Sequence, residues 1–187
     1  MRGLFFDTET TGLWNNRAPL GHGSQPDMVQ LAALLVDIPN RKILSSLNLL
    51  VETGKEIPKE AMDVHGKTPE MISQFGVSRR VAAAMFSNFL KKTDIMVAHN
   101  ISFDINLVEN AFVNEGIAVP PRPKTFCTML ATTEICKLPN PRFQGKFKWP
   151  KLIEAYTMLI NENGFSNAHD ALADVTACME LYFYLID

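Results

Sequence analysis

Cysteine is scarce: Cys127, Cys136 and Cys178 are the only three in 187 residues, and no two stand in a Cys-x-x-Cys spacing. An odd, scattered set argues against a disulfide framework and for reduced thiols in an intracellular, cytoplasmic setting. Long apolar runs are also missing. None approaches the roughly 20 residues that cross a bilayer, so no membrane partner is expected. Arg2 is followed by a short apolar run that stops at Asp7 and Glu9, which does not read as a secretory signal. There is no internal repeat and no low-complexity tract. Neither sign of charge dominates: 18 Lys and Arg stand against 20 Asp and Glu, for a net charge of −2. Taken whole, that balance argues mildly against a nucleic-acid partner, because phosphate binders usually carry a basic footprint.

What is present reads as a globular chain, 47% hydrophobic and 20% charged. Its length suits a single domain over residues 1–187 with a core large enough to need no disulfide or structural metal. Residues 2–7 read as a short buried strand ending at an acid. Residues 28–36 and 42–51 read as further strands, joined across Pro39-Asn40 as a hairpin. Between the first two lies a long loop, 14–27, with Pro19, Gly21, Gly23, Ser24 and Pro26; loops of that length are often functional or mobile. From about Pro58 the pattern is helical. Ser78 is a candidate N-cap for a helix over 78–92 with Val81, Met85 and Phe89 on one face. A strand over 94–98 leads to a helix over 102–115, with Phe103, Leu107 and Ala111 aligned and Gly116 as its stop. After Pro120, Pro121 and Pro123 comes a basic, aromatic, proline-rich loop at 137–151, then helices over 151–163 and 170–186. Strands first, then strands alternating with helices, indicate an α/β class with a mixed sheet.

Three motifs carry chemistry. In Asp7-Thr8-Glu9-Thr10-Thr11-Gly12, strand periodicity puts Asp7 and Glu9 on one face, where two carboxylates repel unless a divalent cation joins them. Oxygen-only ligands favour Mg²⁺ or Mn²⁺ over zinc. In Asn100-Ile101-Ser102-Phe103-Asp104, Asp104 falls in the first turn of a helix, where an anion is favoured. In His169-Asp170-Ala171-Leu172-Ala173-Asp174, Asp174 lies on the apolar stripe of the last helix, a costly place for an acid that is neither paired nor metal-bound. His169 precedes that helix, and an imidazole takes a proton near neutrality. Each motif alone also suits an ordinary structural role.

Their joint order resembles the DnaQ-like 3′–5′ exonucleases of the DEDDh type, within the RNase H-like superfamily, from Leu4 to about Tyr182, with Val64-His65-Gly66 adding to the match. The resemblance implies an RNase H-like five-stranded mixed sheet, the first three strands antiparallel and the rest parallel, flanked by helices. It implies Asp7, Glu9, Asp104 and Asp174 as holders of two Mg²⁺ or Mn²⁺ ions and His169 as the general base that deprotonates the attacking water. The implied products are nucleoside 5′-monophosphates released from a 3′ end. Two metals can clamp the attacking and leaving oxygens of an in-line displacement. Thr10 and Thr11 would meet the terminal 3′-OH, and Leu13 resembles the family's apolar wedge at the last base. His65, Asn100 and Phe103 match positions that line the pocket for the last two nucleotides.

The Lys146-Phe147-Lys148-Trp149-Pro150-Lys151 segment interleaves bases with aromatics, a composition suited to single strands, and also resembles a stretch in some family members. Lys148 and Trp149 are its candidate contacts. Departures exist: loop 14–27 exceeds the family minimum, and Gln30 stands where many relatives carry an acid, so it receives no metal role. Asp170 reads as a helix N-terminal acid rather than as a partner of the imidazole. Single-stranded DNA ends are the favoured substrate, with an exoribonuclease as one alternative and a non-catalytic nucleic-acid-binding or polymerase-associated subunit as another. The chain is expected to be free-standing, of bacterial or bacteriophage type, or to dock on a polymerase or other replication partner. The near-neutral total also conceals an uneven distribution. Residues 122–151 hold Arg122, Lys124, Lys137, Arg142, Lys146, Lys148 and Lys151 against Glu134 alone, while 152–187 hold acids and no Lys or Arg. Binding should therefore depend on divalent metal more than on a broad basic face.

Overall fold

The computed structural model describes residues 1–187. Strand β1 (Arg2–Thr10) pairs antiparallel with β2 (Met28–Asp37), and β2 antiparallel with β3 (Lys42–Leu50). Strand β1 also runs parallel to β4 (Ile95–Ala98), which is parallel to β5 (Lys124–Cys127). The order β3-β2-β1-β4-β5 is the mixed sheet expected of the RNase H-like fold. No helix is long and apolar enough to cross a membrane.

Two apolar layers cover the sheet, and side-chain parity along β1 divides them. Leu4 and Phe6 face one way, onto α3 (Arg79–Leu90) and α4 (Ile101–Asn114), where Phe6 meets the ring of Phe86 edge-on at 5.2 Å. Phe5 faces the other way, onto α7 (Ala171–Ile186), with its ring 5.2 Å from Tyr182. Carried forward along the strand, this alternation assigns Asp7 and Glu9 to the α7 side and Thr8 to the α4 side. The strand runs three residues past the expected 2–7, and its pairing with β2 shifts between Glu9 and Thr10.

Ser78 caps α3 as expected, accepting from the N–H of Val81. The buried stripe differs from the expected one. Val81 and Met85 are 46% and 39% exposed, while Ala82, Ala83, Phe86 and Leu90 are buried. Two small alanines let the helix approach the sheet closely, and this rolls the Val81 row outward. The short elements α1 (Lys59–His65) and α2 (Pro69–Phe75) fill the helical region after Pro58. Strand β5 and helix α5 (Thr128–Cys136) had no counterpart in the residue pattern. Strand β5 is only four residues long, and of the three threonines in α5, Thr132 and Thr133 bond back to helix carbonyls rather than mark an apolar stripe. Helix α6 (Leu152–Leu159) ends four residues before the expected 163, leaving a loop from 160 to 170.

Loop 14–27 is held from inside. Gln25, 1% exposed, donates to the carbonyls of Asn15 and Ala18 at 2.9 and 2.7 Å and accepts from the N–H of Asn15. Asn110 of α4 accepts from the N–H of Gly21 at 2.7 Å.

Candidate active site

The sheet parity and two helix starts bring four carboxylates to one end of β1. Asp7 and Glu9 project toward α7, whose first turn carries Asp174. Asp104 arrives from the first turn of α4 and is 3% exposed. Thr8, on the same side of β1 as α4, donates to Asp104 Oδ1 at 2.7 Å. Ligand atoms of Glu9, His169 and Asp174 all lie within 4.8 Å of one another.

These acids raise one another. Burial pushes Asp7 well above the usual carboxylate range, reinforced by the charges of Asp104, Asp174 and Glu9. Burial, with Asp174 and Asp104, pushes Glu9 up to about 8. Asp104 is pushed up to about 7 by burial, against the pull of the Thr8 hydrogen bond. Asp174 is pushed up to about 6, again chiefly by burial. Carboxylates held so far from their ordinary values fit a site completed by cations, because divalent charge reverses both the desolvation and the mutual repulsion. The donor set is oxygen-rich with one imidazole, which suits Mg²⁺ or Mn²⁺.

His169 stands on the loop before α7, exposed, at φ 68. Its N–H donates to both Asp174 oxygens at 3.2–3.3 Å. Asp170 is the N-cap of α7, accepting from the N–H groups of Leu172 and Ala173.

Beside the acids lies a cavity of 380 Å³ whose walls include Glu9, Thr10, Thr11, Leu13, His65 and Phe103. Five of the eight residues expected to touch substrate therefore share one pocket. Leu13, the expected wedge, is 89% exposed. His65 is buried. Its Nδ1 accepts from the N–H of Lys67 at 2.9 Å, its Nε2 has no partner, and burial lowers its pKa. Asn100 is the N-cap of α4 in the left-handed conformation, φ 69, and is not among the residues lining the cavity. Lys148 and Trp149 also lie outside it. Trp149 is 65% exposed, so it does not anchor its loop to the core. Lys148 is paired with Glu154 at 2.5 Å, so a phosphate would compete with that carboxylate for it.

The residue pattern gave no sign of Thr8, Lys67 or His99 as parts of this region. His99 Nε2 donates to the carbonyl of Pro150 at 2.9 Å and Nδ1 meets the Thr128 hydroxyl at 2.9 Å, which ties the end of the basic loop to the end of β4. Gln30 did leave a signal: it is a polar residue inside a strand that is otherwise buried and apolar up to Asp37.

Residues 4–182 match the RNase_T family model, described as exonuclease. The chain is 31% identical over 179 residues to the uncharacterized exonuclease CP81 of Escherichia phage 186, covering 91% of this chain and 81% of that one. It is 27% identical over 188 residues to the DNA polymerase III subunit epsilon of Buchnera aphidicola, covering 98% and 72%. A solved structure of E. coli Exonuclease I in complex with a dT13 oligonucleotide superposes with a TM-score of 0.75 at 21% identity, covering 97% of this chain and 40% of that chain.

Proposed function

The chain belongs to the exonuclease family, and from that premise we propose that it removes nucleotides one at a time from the 3′ end of single-stranded nucleic acid, DNA in preference to RNA. The observation that carries this reading is the meeting of Asp7, Glu9, Asp104 and Asp174 with an exposed imidazole, beside a pocket large enough for a terminal nucleotide. Residues 1–187 act in this reading as one exonuclease domain in the cytoplasm.

Asp7, Glu9, Asp104 and Asp174 would hold two Mg²⁺ or Mn²⁺ ions. When bound, such ions lower the pKa of an attacking water and offset the negative charge that gathers on the phosphate and the departing 3′-oxygen. The chain's own residues do the rest. Thr10 and Thr11 hold the terminal sugar, and Leu13 and Phe103 enclose its base. His65, its Nδ1 committed to the Lys67 N–H, forms part of the wall of that pocket. His169 takes the proton from the attacking water and, being exposed, passes it to solvent. Trp149 stacks on a base further along the strand. The likeness to a polymerase subunit supports a replication polymerase as the class of partner.

The test is digestion of matched DNA and RNA oligonucleotides, labelled at the 5′ or the 3′ end, with Mg²⁺, with Mn²⁺ and with EDTA. The reading expects metal-dependent release of mononucleotides from the 3′ end, faster on DNA than on RNA. Loss from the 5′ end, or turnover in EDTA, overturns it. Consumption of RNA alone overturns the choice of sugar.

A further inference from the structure

Lys67 joins two walls of the cleft through its two ends. Its backbone N–H donates to His65 Nδ1 at 2.9 Å, and its ammonium, 12% exposed, reaches Asp170 Oδ2 at 2.7 Å. The same oxygen accepts from Gln30 Nε2 at 3.1 Å. The other Asp170 oxygen accepts from the N–H groups of Leu172 and Ala173 at 3.1 and 3.4 Å. Gln30 is itself buried. Its Oε1 accepts from the N–H of Ala171 at 3.1 Å, and its Nε2 also reaches Asn48 at 2.9 Å. The first turn of α7 is thus pinned through Asp170 and Ala171 to β2 on one side and to the turn between α1 and α2 on the other.

His169 has need of such a pin. It lies at φ 68 and Asn167 at φ 59, a left-handed backbone that residues with a Cβ keep only when their surroundings impose it. It is exposed, so no packing imposes it. Its N–H reaches only the Asp174 carboxylate, and the turn before it closes by the Asp170 N–H donating to the Asn167 carbonyl at 3.0 Å. The hydrogen bonds that define its place therefore run to the first turn of α7.

We propose that the Lys67–Asp170–Gln30 cluster is the clamp that positions His169 for proton transfer. Lys67 and Gln30 are positioning residues: they act through Asp170 and need touch no substrate. An ammonium suits the task, since a half-buried carboxylate left without its cation draws in water and loosens what it caps. The catalytic part of the inference rests on the proposed role of His169; the clamp itself does not.

The test compares Lys67→Met, Lys67→Arg, Asp170→Asn and the double variant Lys67→Met/Asp170→Asn in the full chain. On a 5′-labelled DNA oligonucleotide with Mg²⁺, Lys67→Met should lower kcat about 10- to 100-fold, as loss of a support behind a reacting group does, with KM within about twofold. Lys67→Arg should recover most of the lost kcat. The double variant should be no slower than the slower single one, because both act on one contact. Hydrogen exchange in EDTA supplies the second readout: the amides of Ala171, Leu172 and Ala173 should exchange faster in Lys67→Met while those of β1 do not change. A loss carried by KM, multiplying losses in the double variant, or unchanged exchange at α7 each overturns the clamp. If the parent chain degrades no oligonucleotide, the proposed function falls, and the exchange experiment still decides the clamp.

Discussion

Thr8 and Asp104, 96 residues apart in sequence, are joined by a buried 2.7 Å hydrogen bond. The bond crosses from β1 to α4 and is what pulls the Asp104 carboxyl back toward ionisation against its burial. Thr8→Val keeps the shape and removes the donor. It should cost about 1–3 kcal/mol, the usual loss when a buried polar group is left unpaired. It should also weaken divalent-metal binding, since Asp104 then holds its proton more tightly. Urea denaturation in EDTA, and a Mn²⁺ titration followed calorimetrically, measure the two effects.

Protonation couples the same acids to stability. In the folded, metal-free chain Glu9 titrates at about 8, Asp104 at about 7 and Asp174 at about 6, all above their ordinary carboxylate values. A raised folded pKa means that the native state binds protons more tightly than the unfolded chain, so these groups destabilise the fold as pH rises from about 4 through about 8. The metal-free protein should therefore lose stability on going from about pH 5 to about pH 9, by an amount on the order of a few kcal/mol. Mg²⁺ should restore more at the higher pH. Thermal melts in EDTA and in Mg²⁺ at both pH values check this; an EDTA melting point that rises with pH contradicts it.

From the same repulsion, activity and stability should separate at Asp174. Asp174→Asn removes one charge from the cluster and one proposed metal ligand. Metal-dependent cleavage should disappear. The metal-free fold should become more stable near pH 8 by about 1–3 kcal/mol, as when an uncompensated buried charge is replaced. For a chain of this size that is a melting point about 2–4 °C higher per kcal/mol. Near-normal turnover would remove Asp174 from the site.

The base is tested by kinetics. His169→Ala deletes an exposed side chain on a loop, so folding should be unaffected. Loss of a general base lowers kcat by about 10²–10⁴-fold. KM should change little if substrate binds, as proposed, in the pocket around Thr10 and Leu13. Steady-state assays on a DNA oligonucleotide separate the two, and a defect confined to KM rules His169 out as the base.

The degree to which the sequence revealed each feature follows how local its cause is. Asp7 and Glu9 share a face because strand side chains alternate, and that is visible in two residues. Asp174 stands out because an acid interrupts an apolar helical stripe. The α3 stripe misled because two rows of that helix carry apolar residues, and only the closeness of the sheet selects Ala82, Ala83 and Phe86 over Val81 and Met85. Thr8, Lys67 and Gln30 act across 96, 103 and 140 residues of chain, and no local period reports such contacts. Lys148 looked like a free cation in a basic run, but the turn that starts α6 carries Glu154 back to it.

Trp149 tests whether the strand continues past the cavity. Its ring is 65% exposed, on the loop whose end is tied to β4 through His99 and Pro150. A ring held out into solvent at a fixed place has little part in stability, so Trp149→Ala should leave the melting point within about 1 °C, as surface changes do. Stacking of a base on an aromatic contributes about 1–3 kcal/mol. KM for a long single strand should therefore rise at least about fivefold, while a dinucleotide, too short to reach beyond the pocket, should be cleaved as before. Fluorescence of the parent chain supplies the direct signal: titration with a long single strand should quench Trp149, and the Trp149→Ala variant, which keeps Trp14, identifies that share of the change. Equal KM values for the long strand in the two proteins would place the nucleic acid on another path across the surface.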